Sequence, residues 1–123
     1  MNDYEQELKL YDAKEIQDLL LNIGTPTNLK GFRYITYAVQ LILANPDTAT
    51  IKIVDGLYVD VAKKYNTTAS SVERGIRHAI GVTWTNGNLE YIYKLFRNSI
   101  NPLKGSPTNT QFIMRLYYYF ATQ

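Results

Sequence analysis

GLYVDVAKKYNTTASSVERGIRHAIGVTWTNGN, residues 56–88, reads as a short helix, a tight polar turn and a longer second helix. Leu57, Val61, Ala62 and Tyr65 recur at helical spacing and form one apolar stripe. Asn66, Thr67 and Thr68 interrupt it with residues that favour turns and N-caps over helix interiors. The second helix opens around Ala69. Its cap is Thr68 or Ser70, and Ser70 with Glu73 three residues on makes a capping box.

The second helix has two unlike faces. At about 100° per residue, Val72, Ile76, Ala79, Ile80 and Thr83 fall together and can seat against a core. Ser70, Ser71, Arg74, Arg77, His78 and Gly81 fall opposite, offering hydroxyls, two guanidiniums and an imidazole. A helix of this kind behind a short helix and a three-residue turn matches the helix-turn-helix plan, here over about residues 57–86. Its outward face would supply donors to phosphates and guanine edges. Small helical domains that bind no DNA carry similar faces, so the pattern alone leaves both readings open.

Outward from this pair the chain continues to read as helix. Ile16, Leu19, Leu20 and Ile23 give an amphipathic helix that stops at Gly24. The next begins at Asn28 or Leu29, and Phe32, Ile35, Ala38, Val39, Ile42 and Leu43 run at helical spacing to Ala44. With Tyr34, Tyr37 and Leu41 it is apolar on most sides, which makes it the central core helix. Residues 1–12 are a lead-in, frayed or forming a short helix, and 47–50 a turn. Ile51, Ile53 and Val54 fit either a strand or a helical turn. Gly87 is placed as a left-handed cap of the recognition helix. Leu89, Ile92, Tyr93, Leu95 and Phe96 form a further helix ending near Asn98, and residues 101–107 form an exposed loop. Thr108 with Gln111 makes a capping box for a last helix built on Phe112, Ile113, Leu116, Tyr117, Phe120 and Ala121. The expected architecture is all-α, a compact bundle of about six helices in one domain spanning residues 1–123.

A net charge of +2 says little, but its distribution says more. Residues 1–20 hold six acids against two lysines. Residues 61–100 hold Lys63, Lys64, Arg74, Arg77, Lys94 and Arg97 against Glu73 and Glu90, so positive potential gathers around the motif. The lack of cysteine excludes disulfides and thiolate metal sites and fits a cytoplasmic address. No run approaches the roughly 18 apolar residues of a membrane span, and MNDYEQELK lacks a secretory pattern. His78 is the sole histidine and no carboxylates cluster at metal spacing, so neither metal nor cofactor is expected. Ser70 or Ser71 with His78 lies on one helix without a nucleophile elbow, so no enzyme activity is expected either.

The run Ala62, Lys63, Lys64, Tyr65, Asn66, Thr67, Thr68, Ala69, Ser70, then Val72, Glu73, Arg74 and Ile76, Arg77, His78, Ala79, Ile80, resembles the effector domain of the sporulation master response regulator of endospore-forming bacteria. Ile23, Gly24, Thr25, Pro26 with Leu29, Lys30, Gly31, Phe32 is similar to a second block of that family. Pro107, Thr108, Asn109 with Gln111, Phe112, Ile113 is similar to a third. The resemblance runs from about Ile16 to Met114. It implies an all-helical DNA-binding effector domain without a clear wing, its second motif helix in the major groove, and a short target element written TGTCGAA. It also implies a contact with a polymerase sigma subunit, through Asn86, Asn88, Glu90, Tyr91, Lys94 and Arg97. A second copy on the DNA is a further partner to expect.

On this reading Lys63 and Lys64 clamp the backbone, Thr67, Thr68 and Ser70 hold phosphates, and Arg74, Arg77 and His78 reach base edges or backbone. Ser71 shares that surface. Glu73 either accepts from a cytosine amine or holds Arg77 at i+4. The chain departs from the family at Ser71, where Arg is usual, at Gly75 and Gly81, where Ala and Glu are usual, and at Thr85 and Asn86 in the turn after Trp84. Each glycine costs about 1 kcal/mol of helix propensity. The family joins this domain to a receiver, and nothing here supplies one, which leaves an excised domain and a free-standing relative equally open. The alternative from another class is a protein-interaction module on the same scaffold. It would have lost DNA reading and would dock a partner through the tyrosine-rich run Tyr117, Tyr118, Tyr119, Phe120.

Overall fold

The computed structural model describes residues 11–45, 55–96 and 105–123. Among them lie six helices and no strand: α1 (Ala13–Ile23), α2 (Lys30–Ala44), α3 (Asp55–Lys64), α4 (Ala69–Asn86), α5 (Leu89–Phe96) and α6 (Asn109–Ala121). The all-α expectation holds. The lead-in before residue 11, the stretch 46–54 with Ile51, Ile53 and Val54, and 97–104 with Arg97 and Asn98 lie outside the described residues.

Local chemistry explains most boundaries. The Asp12 side chain accepts from the Lys14 N–H and opens α1. Gly24 closes it at φ 95°, with Thr25 N–H on the Leu20 carbonyl and Gly24 N–H on that of Leu21, a Schellman closure. The capping box at Thr108 and Gln111 forms as read. Gly87 does not take the left-handed conformation expected of it: its φ is −80° and its ψ −176°. The glycine serves a close approach instead. A Cβ there would overlap the carbonyls of Ile23 and Thr83, and Asn88 N–H donates to the Ile23 carbonyl at 3.0 Å. The end of α4 is thus pinned to the end of α1.

α2 is the centre, with Phe32, Tyr34, Ile35, Ala38, Val39 and Ile42 all buried. It packs most extensively on α4 and also touches α1, α3 and α6. Fully burying such side chains is worth roughly 1.5–3 kcal/mol each, and these cover four neighbours. α6 closes the far side through Phe112, Ile113, Leu116 and Phe120. Trp84 packs back on the core, its ring edge-on to Phe96 at 5.1 Å and Phe112 at 5.9 Å. Leu89 and Tyr93, two of the apolar residues that mark the helix after Asn88 in the sequence, are exposed, as is Ala121 of the last helix. α5 is only two turns long, and it seats Ile92, Leu95 and Phe96 instead.

Candidate nucleic-acid interface

The helix-turn-helix is α3, the turn 65–68 and α4. α3 buries Leu57, Val61 and Ala62, and also Tyr58, which the spacing argument had left out. Asn66 ends it in the left-handed region at φ 53°, a conformation Asn tolerates, and Thr67 N–H bonds the Ala62 carbonyl at 3.0 Å. Thr68 then caps α4, accepting from the Ser71 N–H at 3.1 Å. The capping box expected of Ser70 and Glu73 is absent: the cap is Thr68, two residues before Ser70, and Glu73 accepts from Arg77 instead.

The two faces of α4 separate as the periodicity requires. Val72, Ile76, Ala79, Ile80 and Thr83 are buried, whereas Ser70, Arg74, Arg77 and His78 are exposed. Thr83 tolerates burial because its hydroxyl donates to the Ala79 carbonyl at 2.7 Å. It therefore accepts from the Thr25 hydroxyl, 2.8 Å away. Ser71 is half-buried, and its Oγ accepts from the Thr68 hydroxyl at 3.0 Å, so this hydroxyl belongs to the cap. Glu73 accepts from Arg77 at 3.0 Å, with 66% of the Arg77 side chain and 34% of the Glu73 side chain exposed. The pair partly neutralises one cation of the face. No described ion pair engages Arg74, Lys63 or Lys64. Lys63, Lys64 and Thr68 are exposed and Thr67 half-buried, all at the turn end of the motif.

Sequence reasoning missed what orients α4. Asn109, the first residue of α6, donates through one Nδ2 to the Glu73 carbonyl at 3.0 Å and to the Tyr58 hydroxyl at 3.1 Å. One amide thereby ties both motif helices to α6. Burial is the main cause holding the Tyr58 phenol above its ordinary pKa, and the Asn109 bond opposes it. An open cleft beside it is lined by Tyr58, Glu73, Arg77, Pro107, Thr108 and Asn109. The only available signal was Asn109 inside the third resemblance block, with no spacing rule to assign its partner.

Of the positions expected to meet a polymerase subunit, Asn86 is the last residue of α4, Asn88 precedes α5, and Glu90, Tyr91 and Lys94 lie on α5. Asn86, Asn88, Glu90 and Lys94 are exposed and Tyr91 half-buried, while Arg97 is outside the described residues. The Asn88 side chain accepts from Tyr91 N–H, which makes it the cap of α5. Glu90 and Lys94 approach within 3.9 Å. Among the described residues no three His, Cys, Asp or Glu side chains gather as a metal site, and no helix is long and apolar enough to cross a membrane. A protein-family model described as Sporulation initiation factor Spo0A C terminal matches residues 16–120.

Proposed function

The chain belongs to the Spo0A C-terminal family of sporulation initiation factors, a DNA-binding regulatory family, and from that premise we propose that it reads double-stranded DNA sequence-specifically as a transcription regulator. α4 lies in the major groove with Ser70, Arg74, Arg77 and His78 toward the base pairs and flanking phosphates. Lys63, Lys64, Thr67 and Thr68 grip the backbone at the turn. The observation that carries this reading is the outward face of α4, whose one carboxylate is already paired with Arg77 and whose Arg74 stands exposed. Ser71, with a single hydroxyl that accepts from Thr68, cannot supply the bidentate guanine fork that Arg would give where the family has Arg. Arg74 is the residue left to do so. Asn86, Asn88, Glu90, Tyr91, Lys94 and Arg97 are the proposed surface for a sigma subunit, and a second copy on the DNA is the proposed homomeric partner.

Fluorescence anisotropy with a duplex carrying TGTCGAA and a scrambled duplex, each across a salt series, tests the proposal. Preference for the element with steep salt dependence supports it. Salt-dependent binding without preference supports a phosphate grip with another target. No binding at low salt favours the interaction module, for which the half-exposed Tyr118 on α6 is the starting point.

A further inference from the structure

We infer that Arg33 and Lys64 form a phosphate-binding clamp for duplex DNA, one arm of which lies outside the helix-turn-helix, with each cation held over a tyrosine ring. The inference rests on the DNA-binding reading above and extends its footprint to α2. The Arg33 guanidinium lies 5.4 Å from the centroid of the Tyr65 ring, and Lys64 Nζ lies 5.4 Å from that of Tyr37. Tyr65 in turn packs on Tyr34 at 5.4 Å and edge-on to Tyr37 at 6.2 Å. Three rings thus fill the seam between α2 and the end of α3, with a cation over the Tyr65 and Tyr37 faces.

The placement favours a DNA contact over a merely structural one. Tyr65 is the first residue of the turn, and Tyr34 is the side chain lying against Gly75 of α4. The seam therefore borders the first half of the recognition helix, where a groove-bound helix is flanked by backbone. A guanidinium held over a ring is partly ordered in advance and keeps N–H donors for a phosphate. α2 carries no carboxylate from Lys30 to Ala44, and no described ion pair engages Arg33 or Lys64. Both side chains belong to exposed residues. Lys30, also exposed, adds charge one turn before Arg33 on the same stripe of α2.

Anisotropy across roughly 50–300 mM salt on the element-bearing and scrambled duplexes tests this, comparing wild type, Arg33→Gln and Lys14→Gln. Lys14→Gln removes the same formal charge from α1, where Lys14 pairs with Asp18. Arg33→Gln should weaken both duplexes alike, several-fold at low salt, and flatten the slope of log affinity against log salt by about 0.9. Lys14→Gln should leave the slope unchanged. Tyr65→Leu, checked for folding by its melting curve, should reproduce part of the Arg33→Gln effect with the cation still present. A steep wild-type slope that Arg33→Gln leaves unchanged, or changes no more than Lys14→Gln does, overturns the clamp alone. Absence of salt-sensitive binding by the wild type overturns the DNA reading and the clamp with it.

Discussion

Gly31 and Gly75 meet backbone to backbone where α2 crosses α4: a Cβ on Gly31 would overlap the Gly75 carbonyl and stand 2.6 Å from the Ala79 Cβ. The pair lets the central helix approach α4 more closely than side chains would allow. Substitution should rank accordingly. Gly31→Ala is expected to cost about 1–3 kcal/mol, because backbone on the facing helix cannot move aside. Gly75→Ala meets only the Tyr34 ring, at 3.0 Å, and should cost less. Gly81 faces open space, so Gly81→Ala should stabilise by about 1 kcal/mol. Urea denaturation of the three variants checks the order.

Asn66 offers a second test of the motif's geometry. With φ at 53°, Asn66→Gly should be neutral or stabilising, whereas Asn66→Val should lose about 1–2 kcal/mol. Equal stability of the two variants in thermal denaturation would contradict the left-handed closure of α3.

Asn109→Ala removes both donated bonds and leaves the Glu73 carbonyl and the Tyr58 hydroxyl without that partner. The expected loss is about 1–3 kcal/mol in denaturant unfolding. Because the amide orients α4 against α6, preference for target over scrambled duplex should fall as well, at a temperature where the variant remains folded.

Alkaline pH should weaken the fold. Burial raises the phenols of Tyr58 and Tyr65 above their ordinary value, so the folded state holds its protons when the unfolded chain has released them. Stability is then full below the unfolded phenol pKa of roughly 10 and declines as pH rises through the folded values. Tyr58→Phe should flatten that decline, which unfolding midpoints measured from neutral to alkaline pH would reveal.

On DNA, Arg74→Ala should cost about 1–3 kcal/mol on the preferred element and relax preference at the base pair it reads. Lys64→Ala should weaken target and scrambled duplexes alike and flatten the salt dependence. Identical effects of both substitutions on both duplexes would remove the distinction between base-reading and backbone-holding residues.

Much of the fold is legible in the chain. The five core positions of α4 are the five that its periodicity names, and Thr108 with Gln111 forms the cap that its spacing names. These features depend on neighbours within about four residues, which is the range over which helical hydrogen bonds and side-chain stripes operate. The outward set Ser70, Arg74, Arg77 and His78 follows from the same periodicity. Where local signals compete, as between Thr68 and Ser70 for the cap, the chain alone leaves the choice open.

By itself, then, the sequence determined which segments are helical, which stripe of each turns inward and which cations face outward. Only the tertiary structure decided what those helices touch. Gly75, a penalty in isolation, is where α4 meets Gly31 of α2. Gly87 is required by the Ile23 carbonyl, not by its own φ. Thr25 satisfies Thr83 across 58 residues, and Asn109 reaches Glu73 across 36. Such contacts arise from the fit of two whole surfaces, and no residue's near neighbours carry a record of the partner it will meet.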